Sequence, residues 1–140
     1  ILVTKVLYTK KTAEKHFVIV DAAMNDLVRP SLYGAFHRIE EVQPHLGDLV
    51  TADVVGPICE SGDFLAKDRK MPLVVAGECL AVFSAGAYGF TMSSQYNSRL
   101  RAAEILVDEN KATLARKRES YADLVALETD PVSTEFKKTD

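Results

Sequence analysis

Short aliphatic and β-branched runs, each cut off by glycine, proline or a polar cluster, bind this chain to a mostly β architecture. Residues 2–9 are rich in Val, Leu and Tyr. The polar stretch 10–15 then reads as a hairpin connection into a strand over 16–20. Residues 36–42 alternate well enough for a strand, and Gly47-Asp48 turns into another over 49–55, which Gly56-Pro57 ends. Residues 73–77 and 79–83 suggest a further pair, and 102–108 with 111–118 a last hairpin around Glu109-Asn110. Between strands, Asn25, Asp26 and Pro30 punctuate a loop or a single helical turn over 21–33. The one convincing helical pattern is 120–128, where Tyr121, Leu124, Val125 and Leu127 follow helical spacing and Ser120 with Asp123 forms a capping-box pair. The expectation is a β barrel or sandwich with one or two short helices, a single domain over 1–130 and a polar, frayed tail over 131–140.

Composition narrows the class. With 140 residues and 47% hydrophobic content the chain can bury a core, and a net charge of -3 gives no basic field for nucleic acid. Arg116-Lys117-Arg118 is the densest basic stretch, and Glu119 follows it at once, so it reads as a solvated face. No apolar run approaches the ~18 residues of a membrane span. Without a secretory signal the expected compartment is the cytoplasm, where Cys59 and Cys79 would stay reduced. The chain opens on Ile1-Leu2-Val3, already inside an apolar run, which reads as a cut within a larger protein.

Four segments break the strand pattern with polar or reactive groups. In the first, Arg29 precedes Pro30 and Tyr33 follows four residues on, a fork and a phenol suited to clamping a carboxylate. An ordinary surface loop is the commoner meaning of such a segment taken alone. In the second, residues 55–63, a strand ends at Gly-Pro and delivers Cys59 and Glu60 side by side before a Ser-Gly-Asp turn. A lone cysteine is more often a small buried apolar residue than an acid or nucleophile. In the third, small residues surround Tyr88 and let backbone approach a ligand, without the spacing of a dinucleotide or phosphate loop. The fourth, residues 94–99, reads as a structural connection. His16, His37 and His45 have no metal-ligand spacing with one another or with the cysteines, so no metal site is expected.

Taken in order, the motifs Val20-Asp21-Ala22-Ala23-Met24-Asn25-Asp26-Leu27-Val28-Arg29-Pro30-Ser31-Leu32-Tyr33, Gly56-Pro57-Ile58-Cys59-Glu60-Ser61-Gly62-Asp63 and Ala87-Tyr88-Gly89-Phe90-Thr91-Met92-Ser93-Ser94 resemble the carboxyl-terminal half of diaminopimelate decarboxylases. The likeness runs through Arg116 to Tyr121 and into the last helix, and the Cys-Glu-Ser-Gly-Asp run is its most specific part. It implies a β domain that accompanies an α/β barrel, with pyridoxal phosphate held on a barrel lysine upstream of Ile1. It also implies a homodimer whose active sites draw on both subunits. The fragment by itself would then be inactive.

Residue roles follow from the matched motifs. Arg29 and Tyr33 stand where the family grips the substrate carboxylate remote from the reaction, and Glu60 where it accepts the remote amino group. Cys59 takes the place of the residue that returns a proton after carbon dioxide leaves. Tyr88 matches the tyrosine that touches cofactor and substrate. Decarboxylases of ornithine need no remote carboxylate clamp and typically carry Asp near the equivalent Cys, so Arg29 with Glu60 favours diaminopimelate, and lysine as product. Alternatives are a related diamino-acid decarboxylase, such as one acting on carboxynorspermidine, and a non-catalytic dimerisation or binding module. Ala23 and Leu100 depart from the commoner Gly and Pro, both away from the contact positions.

Overall fold

The computed structural model describes residues 1–45 and 47–129, so the tail expected over 131–140 lies outside the described residues. Two compact units divide the chain, Ile1–Arg101 and Ala102–Asp140.

The first unit is built on a six-stranded, nearly closed sheet. Its strands are β1 (Leu2–Lys11), β2 (His16–Val20), β3 (Ile39–Glu41), β4 (Leu49–Val55), β5 (Phe64–Pro72) and β6 (Cys79–Val82). They stand in the order β3-β6-β1-β2-β4-β5. Alternation places Thr4 and Val6 of β1 inward, where Val18, Val20, Val54, Leu65, Met71, Leu80 and Val82 complete the core. Most neighbours pair antiparallel, but β2 runs parallel to β4, with Phe17 opposite Asp53 and Ile19 opposite Val55. That pairing needs a long crossover. The connection between β2 and β4 carries the helical turn α1 (Arg29–Tyr33) together with β3.

Several sequence expectations change. β1 continues to Lys11, leaving only Thr12 to Lys15 as the turn, which Thr12 closes by accepting the Lys15 amide at 3.0 Å. The strand expected over 36–42 shortens to Ile39–Glu41. The pairing expected between 73–77 and 79–83 is absent; β6 pairs instead with β1 and β3. The strand missing from the sequence reading is β5, whose centre is Lys67-Asp68-Arg69-Lys70. It lies at the sheet edge, where charged side chains are tolerated and discourage further pairing.

The second unit holds the expected hairpin, β7 (Glu104–Asp108) with β8 (Lys111–Arg116), turning at a left-handed Glu109 (φ 49°). Its last helix is short, spanning Tyr121–Leu124, and the capping box is formed. Ser120 Oγ accepts from the Asp123 amide at 3.3 Å, and the Ser120 amide donates to Asp123 Oδ2 at 2.7 Å. The Ser120 hydroxyl, which donates to Asp123 Oδ2 at 2.6 Å, and then the Ser120 amide hold the Asp123 carboxyl below its ordinary value.

Candidate active site

Two loops leave neighbouring strands of the first unit and are locked together by one carboxylate. Residues 21–28 follow β2, and residues 56–63 connect β4 to β5. Asp63 is 4% exposed, and its Oδ1 accepts the Met24 amide at 2.7 Å while Oδ2 accepts the Ile58 amide at 2.6 Å. The Gly56 amide donates to the Asp63 carbonyl at 3.2 Å and closes the second loop. A Cβ on Gly56 would lie 2.4 Å from Asp63 Oδ2, so only glycine lets this carboxylate fold back over the strand end. A Cβ on Gly62 would lie 2.8 Å from Ser31 Oγ of α1, which brings the helix directly against the Cys59–Glu60 loop.

On this base stand the residues singled out by sequence. Arg29 opens α1 and is half-buried; Tyr33 ends it and is exposed. The i, i+4 spacing sets them on one helical face. Pro30 follows at the start of the helix, and Gly34 terminates it in the left-handed region (φ 63°). Tyr88 itself adopts φ 63° at the start of the helical turn α2 (Gly89–Met92), and its ring lies 5.9 Å from the Arg29 guanidinium. The structure therefore joins Arg29, from the first motif, to Tyr88, from the third. No direct bond links Tyr33 to the others among the described contacts, and its place beside them rests on the helix alone.

Cys59 and Glu60 are exposed at the tip of the second loop, and Cys59 is a free thiol. Glu60 Oε1 accepts the Gly62 amide at 3.2 Å and Oε2 accepts the Tyr96 hydroxyl at 3.2 Å. Residues 94–99, read as a connection, also carry Tyr96, whose hydroxyl reaches Glu60. Glu60, chiefly through that hydrogen bond and then through its charge, pushes the Tyr96 phenol above its ordinary value; burial and charge at Cys59 add to the shift. The segment is anchored by Asn25, 2% exposed, whose Oδ1 accepts Arg99 Nε at 2.9 Å and whose carbonyl accepts the Ser94 amide at 2.9 Å. Arg99 also donates to the Asp21 carbonyl. An aromatic residue stranded in a wholly polar run was the only sequence signal for Tyr96. Asp63 closes the most specific motif, but its part in the frame did not show there, since a buried and an exposed aspartate look alike in a turn.

Nothing in this geometry suits a metal: among the described residues no group of three or more His, Cys, Asp or Glu converges. A separate cleft of about 630 Å³, lined by residues including Glu41, His45, Glu78 and Cys79, shares none of these residues. No helix among the described residues is long and apolar enough to cross a membrane.

Comparison with known proteins agrees with the fold and the motifs. Residues 1–86 match the family described as the C-terminal sheet domain of pyridoxal-dependent decarboxylases. The chain belongs to that family. It is 59% identical over 121 residues to a diaminopimelate decarboxylase of Aquifex aeolicus, covering 86% of this chain and 29% of the relative. A crystal structure of an Aquifex aeolicus protein superposes with a TM-score of 0.90 at 55% identity, over 93% of this chain and 32% of that one. Diaminopimelate decarboxylase from Helicobacter pylori, crystallised with L-lysine, gives 0.84 at 48% identity, over 91% of this chain and 31% of that one. The chain thus spans under a third of the length of these relatives.

Proposed function

We propose that this chain forms the substrate-recognition part of a diaminopimelate decarboxylase, which converts meso-diaminopimelate to L-lysine and carbon dioxide. A preceding α/β-barrel domain would supply the lysine and phosphate-binding loops for pyridoxal phosphate, and a second subunit would complete the site. The chain without that barrel would be inactive. The observation that carries the reading is that the two segments holding Arg29 and Glu60 pack against each other, α1 meeting the 56–63 loop at Ser31 and Gly62. Arg29 sits beside Tyr88, and Glu60 stands across the Ser31–Gly62 contact. A substrate with a second amino-acid head presents that same pair of charges at its far end.

The residues also suit a flat aromatic cofactor. Tyr88 is 67% exposed on a loop where a Cβ on Gly86 or Gly89 would meet nothing within 4 Å, so its ring is open to approach. Bound there, the pyridine ring would withdraw the electron pair left when carbon dioxide departs. This chain does the rest of the work. The Arg29 guanidinium takes the remote carboxylate as a two-pronged hydrogen-bond acceptor, with the Tyr33 hydroxyl as a further donor. Glu60 receives the remote ammonium. The Cys59 thiol donates its proton to the carbon that lost the carboxyl group, so a C–C and an S–H bond break, a C–H bond forms, and the thiolate left behind regains a proton from water. A thiol that must carry a proton has to stay reduced, which accords with a cytoplasmic setting.

Carbon dioxide release by the intact enzyme tests the reading. Meso-diaminopimelate should be decarboxylated in strong preference to lysine or ornithine, which lack the remote carboxylate. Arg29→Leu should erase most of that preference, by on the order of 10²-fold in kcat/KM for diaminopimelate. An unchanged kcat/KM for diaminopimelate in Arg29→Leu would rule the assignment out.

A further inference from the structure

We infer that Tyr96 is a positioning residue that holds the Glu60 carboxylate ready for the substrate's remote ammonium group. This rests on the role of Glu60 given above and deepens it. Glu60 is exposed, and a free glutamate at a loop tip samples many rotamers that binding would have to freeze. Here each carboxylate oxygen is already held by one donor, the Gly62 amide on Oε1 and the Tyr96 hydroxyl on Oε2, both at 3.2 Å. Each oxygen keeps lone-pair capacity for an incoming ammonium.

The mounting of Tyr96 argues that its position matters. Asn97 (φ 57°) and Ser98 (φ 55°) both occupy the left-handed region, which side chains other than glycine adopt at a cost. The strained turn is pinned on both sides, by Ser94 and by Arg99, to the same buried Asn25. An incidental surface tyrosine needs no such frame. With its phenol pushed above the ordinary value, Tyr96 keeps its proton at neutral pH and remains the donor in its bond to Glu60.

The test compares Tyr96→Phe and Glu60→Gln in the intact holoenzyme, assayed on diaminopimelate and on 2-aminopimelate, which lacks the remote amine. Tyr96→Phe should raise KM for diaminopimelate by roughly 3- to 10-fold, with a smaller fall in kcat and no comparable change on 2-aminopimelate. A KM rise of equal size on both substrates would mean a general structural defect and would overturn the inference. So would wild-type KM in Tyr96→Phe beside a raised KM in Glu60→Gln, though the role of Glu60 would stand. An unchanged KM in Glu60→Gln would remove that role and the inference with it. A second readout needs no turnover: tyrosine titration of the intact enzyme by ¹³C NMR, with Tyr96→Phe to assign the signal. The Tyr96 phenol should titrate above the usual value and shift down toward it in Glu60→Gln; absence of that shift would count against the contact.

Discussion

The base and the tip of the loop over residues 56–63 put two carboxylates three positions apart to opposite uses. Asp63, at the base, is buried and spends both oxygens on backbone amides of two different loops. Glu60, at the tip, is exposed and takes one amide and one phenol, donors that orient it without closing it off. Burial decides the division. A carboxylate removed from water must be fully satisfied by fixed donors, so it becomes part of the frame. One left in water can be held lightly and still meet a ligand. The same contrast separates Gly56, which makes room for the frame, from Cys59, which stands free on it.

Substitutions at base and tip should therefore split stability from activity. The largest effect is expected at the base: Asp63→Ala strands the Met24 and Ile58 amides and should cost about 3 kcal/mol of stability, measurable by urea unfolding of the chain. A loss under about 1 kcal/mol would mean that the loops hold together without the carboxylate. At the tip, Cys59→Ala should leave the unfolding midpoint in place and lower turnover of the intact enzyme by on the order of 10²-fold, or about 2.7 kcal/mol in barrier. Near-normal turnover would take Cys59 out of the mechanism. Between the two, Gly62→Ala presses a methyl against Ser31 Oγ, a flexible group that can yield. It should cost about 1 kcal/mol or less in stability and raise KM slightly, and a purely structural effect would show the tip to be less separable from the frame than Glu60 suggests.

How far the sequence could be read depended on how local each feature was. The strands over His16–Val20 and Leu49–Val55 came out with the bounds expected, because β-branched runs between turn residues need no distant partner to be recognised. The capping box of Ser120 and Asp123 closes within three residues and was equally plain. β5 was missed because its centre is charged and makes sense as a strand only at a sheet edge, and edges are assigned by pairing. The extra strand expected over 73–77 failed for a related reason. Of its residues only Val74 enters the core, and the rest of that run turns between β5 and β6.

For the site, residue types and motif order were enough to nominate Arg29, Tyr33, Cys59, Glu60 and Tyr88, since chemistry resides in side chains and their nearest neighbours. The sequence by itself thus determined the β character and the punctuation of the strands, and its likeness to a family nominated the groups proposed for the site. Tertiary structure alone decided that Asp63 is frame while Glu60 is exposed, that Arg29 meets Tyr88, and that Tyr96 reaches Glu60 across 36 positions of chain. Each of those outcomes depends on which strands lie side by side. The parallel pairing of β2 with β4 brings the loop that follows β2 beside the loop that leaves β4, and no local pattern encodes that register.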